Sequence, residues 1–186
     1  MKENKRLINV QLAAIKELIT KFLLKTTDME EFTALILKNA VIKEQVAQKL
    51  YLELGKKEKS EKIRKLFYRL AEEEILHEQL FSKMDLSVIN KVNNGYLKDL
   101  HLISDQKEDL MGNDIAEINK ALDFAIDEEQ KAYEDYSKLI NFLEFGEARD
   151  ALEKISKQEL NHRTMLQKVK LQFNKDDWSS IKIPED

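Results

Sequence analysis

Two tetrapeptides constrain this chain more than any other stretch. They are Glu74-Ile-Leu-His77 and Glu159-Leu-Asn-His162, each a Glu-x-x-His, and they lie 85 residues apart. A further glutamate precedes each at the same separation, Glu44 and Glu129. The same shift lays Leu37 on Leu122, Ala40 on Ala125, Ala47 on Ala132, Tyr51 on Tyr136 and Leu54 on Leu139, then Phe67 on Leu152 and Leu70 on Ile155, without a gap. Register kept over such a length implies two copies of one supersecondary unit.

The unit is a helical hairpin. Apolar residues recur at spacings of three and four along Leu37, Ala40, Ala47, Tyr51 and Leu54, and again along Ile63, Phe67, Leu70, Phe81 and Met84, which is the period of one helix face. The second copy repeats it along Ile118, Leu122, Ala125, Ala132, Tyr136 and Leu139, then Leu152, Ile155, Leu166 and Val169. Only four glycines and one proline occur in 186 residues, too few turn formers for a β-rich fold. The expected fold is all-α, a four-helix bundle made of two duplicated hairpins with an extra N-terminal helix, in one domain. Its parts are an N-terminal helix over 1–26, a first hairpin over 27–84, a crossover over 85–112, a second hairpin over 113–173 and a tail over 174–186. The 28-residue crossover is too long for a simple turn and long enough to run the length of the bundle. Thr27 or Asp28, Ser60, and Asn113 or Asp114 are the expected N-caps. Gly55 with residues 56–59 is expected to end the first hairpin's first helix, and Gly146 to mark the turn of the second.

Each of the four stripes carries a carboxylate among apolar neighbours. A buried carboxylate must be paired, protonated or bound to metal, and four at one level cannot all ionise without cations between them. Two divalent metals would neutralise four carboxylates, and two neutral imidazoles would complete the set. Residues i and i+3 share a helix face, so Glu-x-x-His presents both groups to one centre. The candidate ligands are therefore Glu44, Glu74, His77, Glu129, Glu159 and His162. Ala47 and Ala132, about one turn beyond Glu44 and Glu129, leave room for ions and a small ligand. Tyr51 and Tyr136, a further turn on, are placed to donate hydrogen bonds to the ligand carboxylates. His101, in the crossover, reads as surface or packing. Glu53, Glu72, Glu73, Glu78, Glu128 and Glu153 fall off the stripes and read as solvated helix surface.

Composition removes other chemistries. There is no Cys, so disulfides, zinc–thiolate sites, iron–sulfur clusters and thiol catalysis are absent, which suits a cytoplasmic setting. The net charge is −4, with 31 basic and 35 acidic residues well mixed, giving no basic field for nucleic acid and no polybasic membrane patch. No apolar run reaches membrane-spanning length, and Lys16, Glu17 and Lys21 interrupt the one that comes nearest.

With these residues in place, the chain resembles the ferritin-like superfamily and, within it, the rubrerythrin-type di-iron proteins. The bundle pattern is one Glu from each of two helices plus a Glu-x-x-His from each of the other two. The stretches LILKNAVIKEQVAQKLY, LFYRLAEEEILHEQL and ALDFAIDEEQKAYEDY look like the family, and KDLHLISD in the crossover looks like a segment of stand-alone rubrerythrin-related proteins. The resemblance covers about residues 28–170. It implies two iron ions bridged by Glu74 and Glu159, with Glu44 and His77 completing one ion and Glu129 and His162 the other. It also implies reaction with hydrogen peroxide or dioxygen, in a homodimer. Full rubrerythrins carry a Cys-rich rubredoxin domain; with no Cys here, the electron donor is expected to be a separate protein such as a rubredoxin. Rubrerythrins proper also carry an extra ligand-type glutamate three positions after the equivalent of Glu129. That position is Ala132 here, which leaves the simpler six-ligand site shared across ferritins, manganese catalases and related enzymes.

Other readings remain open at this level. Ferritin-like iron oxidation and sequestration requires assembly into a shell. Manganese catalase-like dismutation uses the same ligand types, which suit Mn as well as Fe. A non-catalytic metal-binding bundle would act through its surface.

Overall fold

A computed structural model describes residues 29–84, 115–143 and 145–173. Among these residues there are four helices and no strand: α1 (Met29–Lys57), α2 (Glu61–Lys83), α3 (Ile115–Ile140) and α4 (Glu147–Phe173). The chain is thus an all-α, ferritin-like helical bundle. The expected N-terminal helix, the crossover with His101, the tail and the caps at 27–28 and 113–114 lie outside the described residues.

Local chemistry sets the ends that can be seen. Ser60 caps α2 from an extended backbone conformation, its hydroxyl accepting from the amide of Ile63 at 3.5 Å. Glu61 in the first turn and Lys83 in the last sit where the helix dipole favours them. Gly146 lies in the turn before α4, and its carbonyl accepts the Asp150 amide at 3.0 Å. α1 ends at Lys57, within the expected 55–59 stretch, with Gly55 itself still in its last turn. The glycine's role is spatial: a Cβ there would come within 2.6 Å of Cε1 and 2.9 Å of Cδ1 of Tyr68 on α2.

Backbones approach most closely within the hairpins, α1 against α2 and α3 against α4. The approaches of α1 to α3 and of α2 to α4 are looser. The core falls into two apolar clusters. One gathers Ile36, Ala40, Phe81, Tyr136, Leu139, Leu152 and Ile155, with the Phe81 and Tyr136 rings 4.9 Å apart. The other gathers Tyr51, Leu54, Phe67, Leu70, Ala121, Ala125 and Leu166. The 85-residue shift carries each of these seven-residue groups onto the other. Each cluster therefore joins parts of both hairpins, and the two hairpins meet about a pseudo-two-fold axis.

The stripes read from sequence are the buried faces. All six residues of the α4 stripe are buried, ligand candidates included, and α2 buries every stripe residue except Met84, which packs at the edge. Burying each large side chain contributes about 1.5–3 kcal/mol relative to exposure. One buried pair was not legible. Lys43 Nζ meets Asp135 Oδ2 at 2.5 Å, both side chains shielded, tying α1 to α3.

Gly55→Ala should gain up to about 1 kcal/mol of helix propensity yet lower the melting temperature, because the new methyl displaces the Tyr68 ring. In a Tyr68→Ala background the same substitution should stabilise. Melting curves of the two single variants and the double variant test this, and a stabilising Gly55→Ala in the wild-type background would refute it.

Candidate metal centre

Between the two apolar clusters lies a polar layer. Glu44, Glu74, His77, Glu129, Glu159 and His162 are each at most 3% exposed. They form two groups whose ligand atoms lie within 4.8 Å of one another: Glu44, Glu74, His77 and Glu159, and Glu74, Glu129, Glu159 and His162. Glu74 and Glu159 belong to both. The structure therefore brings together all six residues singled out from sequence.

Both histidines turn Nδ1 inward. His77 Nδ1 lies 3.0 Å from Glu159, 3.1 Å from Glu74 and 3.6 Å from Glu44. His162 Nδ1 lies 3.0 Å from Glu74, 3.4 Å from Glu159 and 3.8 Å from Glu129. The rings stack at 5.8 Å between centroids, 19° from parallel. Each histidine thus sits close to the Glu-x-x-His glutamate of the opposite helix, which requires α2 and α4 to run antiparallel here.

The tyrosines cross in the same way. Tyr51 donates to Glu129 and Tyr136 donates to Glu44. Each hydroxyl therefore serves the glutamate of the other repeat, and α1 runs antiparallel to α3. The hydroxyl occupies one oxygen of each terminal glutamate and fixes the carboxylate's orientation.

The outward Nε2 atoms show what the sequence reading missed. His162 Nε2 lies 2.6 Å from Glu73 Oε2, and Glu73 Oε1 accepts from Arg69 Nε at 3.1 Å. His77 Nε2 lies 3.3 Å from Gln158 Oε1. Glu73 is thus not solvated surface: it holds a site histidine across the bundle. No pattern within one helix signals this, since the partner is on another helix. The repeat does align Glu73 with Gln158. Glu128 also differs from expectation. Its side chain is largely shielded, pairs with Lys131 at 3.1 Å and borders a pocket. That pocket opens between α1 and α3 past Ala47 and Ala132 and reaches Glu44, Glu74, Glu129 and Glu159.

Electrostatics without an ion are strained. Burial, then repulsion from Glu159, pushes Glu44 well above the carboxylate range, and burial with Glu159 and Glu74 does the same to Glu129. Glu74 and Glu159 are held low; burial opposes this, but both imidazoles overcome it. His77 and His162 are raised, burial being outweighed by the surrounding carboxylates.

A metal suits this donor set. Glu74 Oε1, Glu159 Oε1 and His162 Nδ1 are buried without a hydrogen bond, although Glu74 Oε1 and His162 Nδ1 are only 3.0 Å apart. Atoms that close yet not aligned as donor and acceptor converge on a common point, as ligands do. Hard carboxylates with one imidazole per group match iron or manganese.

The Rubrerythrin family model matches residues 36–170. The chain belongs to this family. No curated protein and no solved structure matches it. Family and cluster together indicate a di-iron-type metal site. Among the described residues no helix is long and apolar enough to cross a membrane.

The shifted groups set a pH dependence. In the metal-free bundle the two imidazoles, Glu44 and Glu129 hold protons beyond their ordinary values of 6.5 and 4.5. Their stabilising share is full below those ordinary values and is lost as pH rises through the shifted ones. Glu74 and Glu159 act oppositely, and their share is lost only in acid. The unfolding free energy of chelator-treated protein, followed by denaturant melts, should therefore fall as pH rises above about 4.5 and more steeply above about 6.5, by up to about 1.4 kcal/mol per pH unit for each extra bound proton. Metal should oppose that fall, because binding displaces these protons. A flat profile for the metal-free protein would contradict the assignment.

Proposed function

We propose that the protein is a non-haem di-iron oxidoreductase that reduces hydrogen peroxide or dioxygen with electrons from a separate redox protein such as a rubredoxin. The observation that carries this reading is the pair of overlapping ligand groups sharing Glu74 and Glu159, in a chain of the rubrerythrin family. Glu44 and His77 would help hold one ion and Glu129 and His162 the other, with Glu74 and Glu159 available to both. Bound iron would supply the electrons that cleave an O–O bond.

The chain's own residues supply the setting. The pocket between α1 and α3 leads to the carboxylates past two alanines, so it admits a small oxidant. Ala132 leaves open the space that a longer side chain would fill. Tyr51 and Tyr136 fix the terminal carboxylates through their hydroxyl protons. The apolar clusters above and below keep bulk water from the ions. Reduction of peroxide to two waters consumes two electrons and two protons. The absence of Cys is the reason for assigning the electrons to another protein.

Protein purified without added metal should carry about two iron ions per chain. Iron-loaded protein supplied with reduced rubredoxin should consume peroxide, and Glu74→Ala should reduce bound iron to one ion or fewer and abolish turnover. Manganese with oxygen release in the absence of reductant would favour a catalase instead. Uptake of many irons per chain would favour storage, and absence of metal would refute the site.

A further inference from the structure

The duplication is imperfect where it holds the histidines. Glu73 and Gln158 occupy equivalent positions, each just before a bridging-type glutamate and each reaching the outward nitrogen of the opposite helix's histidine. One is an anion and the other a neutral amide. The contact lengths follow the charge, 2.6 Å to Glu73 against 3.3 Å to Gln158. Glu73 is held from behind by Arg69 Nε at 3.1 Å. The repeat places Lys154 where Arg69 stands, and Lys154 is exposed. With Nδ1 facing the carboxylates, Nε2 carries the hydrogen of a ligating imidazole, so both outer partners are acceptors. A carboxylate acceptor draws that hydrogen more strongly than an amide oxygen does. It leaves more electron density on Nδ1 and restricts the ring more tightly.

We propose that the two metal positions are unequal by construction: the position at His162 and Glu129 binds its ion more tightly and fills first, because Glu73 and Arg69 orient and polarise His162 while only Gln158 serves His77. This rests on the two-metal reading of the site. Glu73 and Gln158 are positioning residues that act through the imidazoles. Partners of this kind change metal affinity by about 10–100-fold, and the two steps should be separated by a factor in that range.

Zinc tests this without any turnover. Metal-free protein carrying ¹⁵N-labelled histidine is titrated with Zn²⁺ while the ring nitrogens are followed by NMR, with His101→Gln removing the third histidine's signals. In the wild type, His162 Nδ1 should reach its metal-bound position at one equivalent and His77 Nδ1 only on the second. Glu73→Gln keeps an acceptor but removes the charge, and should weaken the first step about tenfold. Gln158→Glu should tighten the second. In the double exchange, Glu73→Gln with Gln158→Glu, His77 should report first. A purely structural role for these residues would not reverse the order of filling. Simultaneous filling in the wild type, or an unchanged order in the double exchange, overturns the proposal while leaving the two-metal reading intact. No zinc at either histidine overturns both.

Discussion

Four carboxylates and two imidazoles sealed in one layer of an apolar bundle are the constraint on which the rest depends. In that environment an unpaired charge is among the most destabilising features a protein can carry. Glu44 and Glu129 respond by holding protons, whereas Glu74 and Glu159 stay ionised only because both histidines crowd them. Such an arrangement is a poor way to stabilise helices. Apolar residues of similar size would pack these positions at less cost. The layer is better understood as a vessel for positive charge, and the two apolar clusters as what holds it in shape.

The duplication explains how one short hairpin builds such a vessel. A single copy offers Glu44, Glu74 and His77, too few ligands to enclose two ions. Two copies meeting antiparallel place each histidine against the opposite Glu-x-x-His glutamate and each tyrosine on the opposite terminal glutamate. Tyr51 and Tyr136 each serve the glutamate of the other hairpin. Neither hairpin can therefore complete its half of the layer alone, and the core clusters obey the same rule by mixing residues of both. Fold and site share one symmetry.

That symmetry is why so much of the fold is legible in the sequence. The stripes, the Ser60 cap, the six buried Glu and His residues and the tyrosines bonded to two of them all follow from helical period plus a repeat of constant 85-residue register. What escaped detection lacks one or the other. Glu73 and Gln158 reach across helices, so no spacing within one helix reveals them, and as Glu and Gln they do not look alike. Lys43 and Asp135 form a buried ion pair that has no counterpart in the repeat, since the equivalent positions are Glu128 and Leu50. Gly55 does stand in the closing turn of its helix, but that its missing side chain also makes room for Tyr68 depends on a residue of another helix and has no signal in its own.

The departures from symmetry are sorted by face. On the α1–α3 side Ala47 and Ala132 line a pocket that reaches the carboxylates, and there the Tyr51 and Tyr136 hydroxyls donate to Glu129 and Glu44. On the α2–α4 side the helices carry both histidines and their outer partners, Glu73 with Arg69 and Gln158. A small molecule entering the pocket meets carboxylates first and never passes the imidazoles' outer nitrogens. Substitutions on the α2–α4 side can therefore alter the histidines' setting without narrowing the entrance. Substitutions at 47 or 132 change what enters without touching the histidines. The two repeats of this bundle are thus alike in what they bury and differ in what each face presents.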